Sequence, residues 1–164
     1  MGIRYRSDQG GAICQAGGVN EGIIEQIAIS PEKEVLPQPV DRVRVVAGQG
    51  LEGDRYFSSG PDNAITLIQA EALEGLREDT GIELSHEASR RQVLTRGIDL
   101  NAFVGERFRV GDVLCEGVEL CEPCNHLQGL TQPGVLRGLV HRAGLRAQVL
   151  EGGTIAPGDA VRPA

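Results

Sequence analysis

Glycine is the residue that most constrains this chain: it fills 23 of 164 positions, about twice the usual share of roughly 7%. The glycines are spread along the sequence, and short runs of β-branched and aliphatic residues lie between them. That punctuation predicts many tight turns joining short strands, as a compact β protein needs. Ile23–Ile29, ended by Ser30-Pro31, reads as one strand, with Val43–Val45 and Ile65–Ile68 as two more. Val93–Thr95, Phe108–Val110, Val113–Cys115 and Val118–Leu120 read as short strands separated by Gly-containing turns, and Leu145–Leu150 and the segment around Val161 close the chain. Gly111-Asp112 and Gly158-Asp159 look like equivalent turns.

Two helices interrupt this pattern. Ala70–Thr80 places Leu73 and Leu76 on one face and has Gly81 where a C-cap belongs. A second runs from about Pro133 to Ala143, with Leu136, Leu139 and Val140 on one side. Seven or more strands with two or more short helices predict a mainly β fold, a closed or rolled β-barrel. Residues 1–20 show no sustained period and read as a flexible tail, leaving 21–164 as a single domain.

Composition narrows the functional classes. A net charge of −7 gives no basic field to hold nucleic acid, and 3% aromatic residues without Trp leave no platform for stacked bases. No P-loop or dinucleotide-type glycine fingerprint occurs. The N-terminus lacks the apolar core of a signal peptide and no apolar run approaches membrane-spanning length, so a cytoplasmic protein with reduced thiols is expected. All the basic residues but Lys33 are Arg, the better bidentate clamp for phosphate or carboxylate. Lys33 lies in the polar loop Ser30–Glu34, a poor place for a desolvated Schiff-base amine, so no pyridoxal-phosphate site is expected.

Chemistry concentrates in Cys121-Glu122-Pro123-Cys124-Asn125-His126, which holds two of the four cysteines and one of the three histidines. A zinc site would take Cys121, Cys124 and His126 with Cys115 or His141, but no second clean ligand pair exists. A thioredoxin-like dithiol needs its first thiol at the start of a substantial helix, for which Gly129 and Pro133 leave little room. The Cys115, Cys121 and Cys124 spacing misses that of plant-type iron–sulfur proteins. Two readings stay open on these residues alone. Cys124 is a reactive sulfur with Cys121 as neighbour or resolving thiol and His126 as proton partner, or both cysteines are small buried hydrophobes.

The wider pattern carries a resemblance. Gly50-Leu51-Glu52-Gly53-Asp54-Arg55 is followed by Arg90-Arg91-Gln92-Val93, by Gly97-Ile98-Asp99-Leu100-Asn101 and by the segment Val104–Gly111. Glu122-Pro123-Cys124, Arg142–Leu150 and Gly153–Asp159 complete the series. In this order the blocks, over about residues 22–162, resemble the MOSC domain, named for the C-terminal domain of molybdenum cofactor sulfurases. The resemblance implies a β-barrel and association with the molybdenum cofactor, a pterin dithiolene carrying a phosphate. It places the family's reactive cysteine on Cys124, a persulfide carrier in sulfurases and a molybdenum ligand in amidoxime-reducing relatives. Asp54, Arg55, Arg90, Arg91, Asn125 and His126 become the expected cofactor-binding residues. Gln92 departs from the Asn of many relatives. The resemblance further implies a sulfurtransferase or an oxidoreductase component acting as a stand-alone module. A cysteine desulfurase or an electron-transfer protein would then act in trans. The alternatives are a molybdenum-dependent reductase of N-hydroxylated compounds and a non-catalytic, zinc-stabilised binding module.

Overall fold

The computed structural model describes residues 21–164, so the segment read as an N-terminal tail lies outside the described residues. The main sheet is built from β1 (Gly22–Ile29), β2 (Gln38–Val40), β5 (Ile65–Gln69), β6 (Val93–Arg96), β7 (Arg107–Val110), β8 (Val113–Leu120), β9 (Leu145–Glu151) and β11 (Ala160–Pro163). Their order is β11-β7-β8-β9-β5-β6-β1-β2, and β11 also pairs with β1, which closes a seven-stranded barrel and leaves β2 as an appendage. Val161 makes the closure: it pairs with Val110 on one side and Gly22 on the other. A smaller sheet of β3 (Val43–Val46), β4 (Gly50–Leu51) and β10 (Gly153–Ile155) stands beside it.

All pairings of the barrel are antiparallel except β5 with β6. Parallel neighbours need a crossover, and α1 (Ala70–Thr80) with the single turn α2 (His86–Ser89) supplies it. The expected α1 boundaries hold. Gly81 takes φ 78°, and its N–H returns to the Arg77 carbonyl, the left-handed stop that glycine adopts at least cost.

The barrel interior is filled by the inward residues of alternating strands, among them Ile24, Ile27, Leu67, Val93, Phe108, Leu145 and Val161. Phe103 and Phe108 stack there with centroids 4.6 Å apart and planes 4° apart. A second cluster of Leu76, Leu84, Leu127, Val135, Leu139 and Ala143 fastens α1 to α3 (Asn125–Leu130) and α4 (Val135–Gly138).

Two sequence expectations are corrected. Val113–Cys115 and Val118–Leu120 are not separated by a turn; β8 runs unbroken through Gly117. Gly117 is required there by close approach, since a Cβ would strike the Phe103 carbonyl, and it bridges to Val104. The helix expected over 133–143 is only the four residues of α4, followed by turns. His141 stands at φ 64°, which stops further helix, and Val140 is exposed rather than on the packed side.

Candidate functional site

The sulfur segment follows β8. Cys121 is held through its main chain: its N–H donates to the Gly144 carbonyl at 2.8 Å, and its carbonyl accepts from Arg91 Nη2 at 3.0 Å. Its thiol is buried and lies 3.7 Å from Arg146 Nη2. Cys124 takes the extended conformation of the N-cap residue of α3, its carbonyl accepting from the Gln128 N–H while its thiol stays exposed. Leu127, buried in the helix cluster, anchors the short helix that carries this thiol. The two cysteines therefore separate into a buried thiol and a presented one.

Glu122, between them, is engaged by His141. Its carboxylate accepts from the His141 N–H and meets His141 Nδ1, each at 2.7 Å. The His141 N–H bond, with further help from the ring, draws the Glu122 carboxyl below its ordinary range against the opposing effect of burial. The left-handed turn at His141 is what brings its N–H and ring to the same carboxylate. His141 thereby tethers the loop.

Cys121, Glu122, Cys124, His126 and Leu127 line one side of a cavity of about 240 Å³, and Lys33, Arg55, Tyr56, Asn63, Thr66, Arg90, Arg91 and Arg146 line the rest. Of the residues singled out in the sequence, Cys124, Arg55, Arg90, Arg91 and His126 meet here; Asp54 and Asn125 do not line the cavity. Asp54 is buried beneath it, accepting from the Ser30 N–H at 3.0 Å, the Tyr56 N–H at 3.1 Å and Gln92 Nε2 at 2.7 Å. Gln92 in turn accepts the Thr66 N–H at 2.9 Å through Oε1. Its own N–H donates to Thr66 Oγ1 at 3.0 Å. The departure at Gln92 thus fits a buried network that sets the backbone under Arg55.

The four arginines divide by partner. Arg91 gives Nε to the Ala143 carbonyl at 2.8 Å, Nη1 to Ser89 and Nη2 to Cys121, a clamp between loops. Arg146 pairs with Glu119 at 2.6 Å. Arg55 and Arg90 have no carboxylate partner within salt-bridge distance among the described residues. Arg55 lies over the Tyr56 ring at 4.5 Å, and Arg90 Nη2 reaches only the Val35 carbonyl at 3.2 Å. Burial first, and then the like charge of Arg55, push the Arg90 guanidinium below its usual range. Two cations that repel each other beside an exposed thiol favour an anion between them.

Sequence reading missed Lys33, Arg146 and the Glu122–His141 tether. Arg146 sits in one of the matched blocks but alternates along β9 like any strand residue, and nothing local marks it. Among the described residues no three His, Cys, Asp or Glu groups gather closely enough to hold a metal ion. The zinc set thus fails on geometry. Cys115 points into the barrel core, where burial pushes its thiol up to about 12, and His141 is engaged by Glu122.

A closed barrel bearing a presented cysteine at an arginine-lined mouth defines the class of protein. The MOSC domain family matches residues 54–162, about two thirds of the chain, and the chain belongs to that family. The fold is shared with solved structures at low identity. The YuaD protein from Bacillus subtilis is 17% identical with a TM-score of 0.76, over 86% of this chain and 94% of its own. YiiM from Geobacillus stearothermophilus is 20% identical with a TM-score of 0.72, over 87% and 75%. YiiM from Escherichia coli is 18% identical with a TM-score of 0.68, over 87% and 69%. No curated protein sequence matches the chain significantly. No helix among the described residues is long and apolar enough to cross a membrane.

Proposed function

We propose that this chain binds the molybdenum cofactor and uses Cys124 as the reacting sulfur, either carrying sulfur as a persulfide or ligating molybdenum. One observation carries the reading: the exposed Cys124 thiol shares its cavity with Arg55 and Arg90, two cations with no carboxylate at salt-bridge distance among the described residues. A soft thiolate donor beside two guanidinium forks fits a group that combines a soft metal with a phosphate.

In this reading Arg55 and Arg90 hold the phosphate, Cys124 meets the metal or its sulfur, and His126, two residues along in the first turn of α3, supplies a proton partner. The cofactor, when bound, supplies a redox-active metal with sulfur and oxo ligands. The chain's own residues do the positioning. Arg91 and the Gly144 carbonyl fix the main chain at Cys121, the Glu122–His141 tether fixes the next residue, and Leu127 fixes the helix after Cys124. In the carrier role the Cys124 thiolate attacks the outer sulfur of a desulfurase persulfide, and the donor cysteine leaves as thiolate. In the ligand role an electron-transfer protein acts in trans, and reduction of N-hydroxylated compounds is the reaction to assay.

The test is anaerobic reconstitution with molybdenum cofactor, followed by measurement of molybdenum and pterin retained per chain in the wild type and in Cys124→Ser. Retention that depends on Cys124, or a sulfur adduct mapped to it, supports the reading. Equal retention by Cys124→Ser with no adduct on Cys124 sinks it.

A further inference from the structure

Phosphate recognition alone does not need a thiol, and a thiol alone does not need two unpaired guanidinium groups. An anion with an electrophilic sulfur needs both. We propose that the Cys124 cavity accepts thiosulfate as a sulfur donor, so that the chain loads its own persulfide without a desulfurase. The proposal rests on the reading of Cys124 as the reacting sulfur.

Three features of the cavity support this ligand class. Among the described residues Arg55 and Arg90 have no carboxylate at salt-bridge distance, and a dianion relieves their mutual repulsion. Arg146 Nη2, 3.7 Å from the buried Cys121 sulfur, adds a further donor group to the cavity lining. Asn63 and Thr66 add neutral polar groups to the lining. By contrast, the acidic surface elsewhere, on a chain of net charge −7, repels a dianion.

The step balances without an external oxidant. The Cys124 thiolate attacks the outer, sulfane sulfur of thiosulfate; a Cys124 S–S bond forms as the bond between the two thiosulfate sulfurs breaks. The electron pair of that bond leaves with sulfite. The protein keeps the sulfane sulfur as a persulfide, which a thiol acceptor later takes. Sulfite is the acceptor of the reverse reaction, and the guanidinium pair serves both dianions. The arginines thereby stabilise the charge that gathers on the departing sulfite.

The test incubates anaerobic protein, separately, with thiosulfate and with inorganic polysulfide, reading sulfite release and the mass of the Cys124 peptide. The expected result is one sulfite released per chain, one sulfur atom added at Cys124, and neither in Cys124→Ser. The double substitution Arg55→Gln, Arg90→Gln should raise the thiosulfate KM by about tenfold to a hundredfold, the loss expected for charge-assisted hydrogen bonds. Loading by polysulfide but not by thiosulfate overturns this proposal and leaves the carrier reading standing. So does a double variant that uses thiosulfate as well as the wild type. If neither donor modifies Cys124, the carrier reading falls with it.

Discussion

Arg91 holds Cys121 by its carbonyl at 3.0 Å, whereas Arg90, the adjacent residue, donates to the Val35 carbonyl at 3.2 Å. Two neighbouring arginines thus do unlike work. Arg91 spends three donors on loop carbonyls, and Arg91→Ala should destabilise the protein by about 1.5–3 kcal/mol, the cost of losing hydrogen bonds from a charged group. Arg90 sits at φ 63°, a left-handed C-cap position that glycine fills without strain. Arg90→Gly should therefore keep or slightly raise the midpoint of urea unfolding while weakening anion binding. Equal destabilisation by both substitutions would contradict the division of roles.

The three cysteines among the described residues should react in a fixed order. Cys124 is exposed, Cys121 is buried against Arg146, and Cys115 lies in the barrel core with its thiol pushed up to about 12 by burial. Alkylation followed by peptide mapping should label Cys124 first, Cys121 slowly and Cys115 only on unfolding. Cys124→Ser should leave stability within about 0.5 kcal/mol of wild type, as for an exposed side chain. Cys115→Ser should cost about 1–3 kcal/mol, because it places a hydroxyl in an apolar core.

His86 gives the protein a pH dependence of stability. Among the described residues neither buried ring nitrogen has a partner at hydrogen-bonding geometry, and burial holds its pKa below the ordinary 6.5, with Glu87, the nearby Arg91 backbone and Glu25 opposing in part. The unfolded chain therefore binds the proton more readily than the folded one. The neutral ring's contribution is complete above about pH 6.5 and is lost as pH falls through the lowered folded value. Urea unfolding between pH 5 and 7 should show stability rising with pH, and His86→Phe should flatten that rise. An unchanged slope in His86→Phe would assign the effect elsewhere.

Asp54 and Gln92 should behave as one unit. Their side chains meet at 2.7 Å, and each satisfies backbone N–H groups that water does not reach. Each alanine substitution should cost about 1–3 kcal/mol, and the double substitution less than the sum, because one broken link already frees the other. Strict additivity in a double-mutant cycle would contradict a shared network.

Much of the fold was legible because its signals are local. The glycine punctuation and alternating runs located the strands and marked the stop of α1 at Gly81. What the sequence hid depends on partners far along the chain. Gly117 reads as a turn until the Phe103 carbonyl is seen against it, and His141 reads as helix until Glu122 claims its N–H. The site was legible in part for the same reason. The six-residue sulfur segment announces itself, but Asp54, Arg55, Arg90 and Arg91 look alike as candidates on paper. Only packing buries Asp54, clamps Arg91 and leaves Arg55 and Arg90 at the mouth.

The most direct measurement is peptide mapping of Cys124, combined with native mass spectrometry, on protein purified anaerobically and reconstituted with molybdenum cofactor. The expected result is a pterin-bound species lost in Cys124→Ser, or a sulfur atom added at Cys124. Wild type and Cys124→Ser that bind the cofactor identically, with Cys124 bare in every state, would contradict a reacting role for this sulfur.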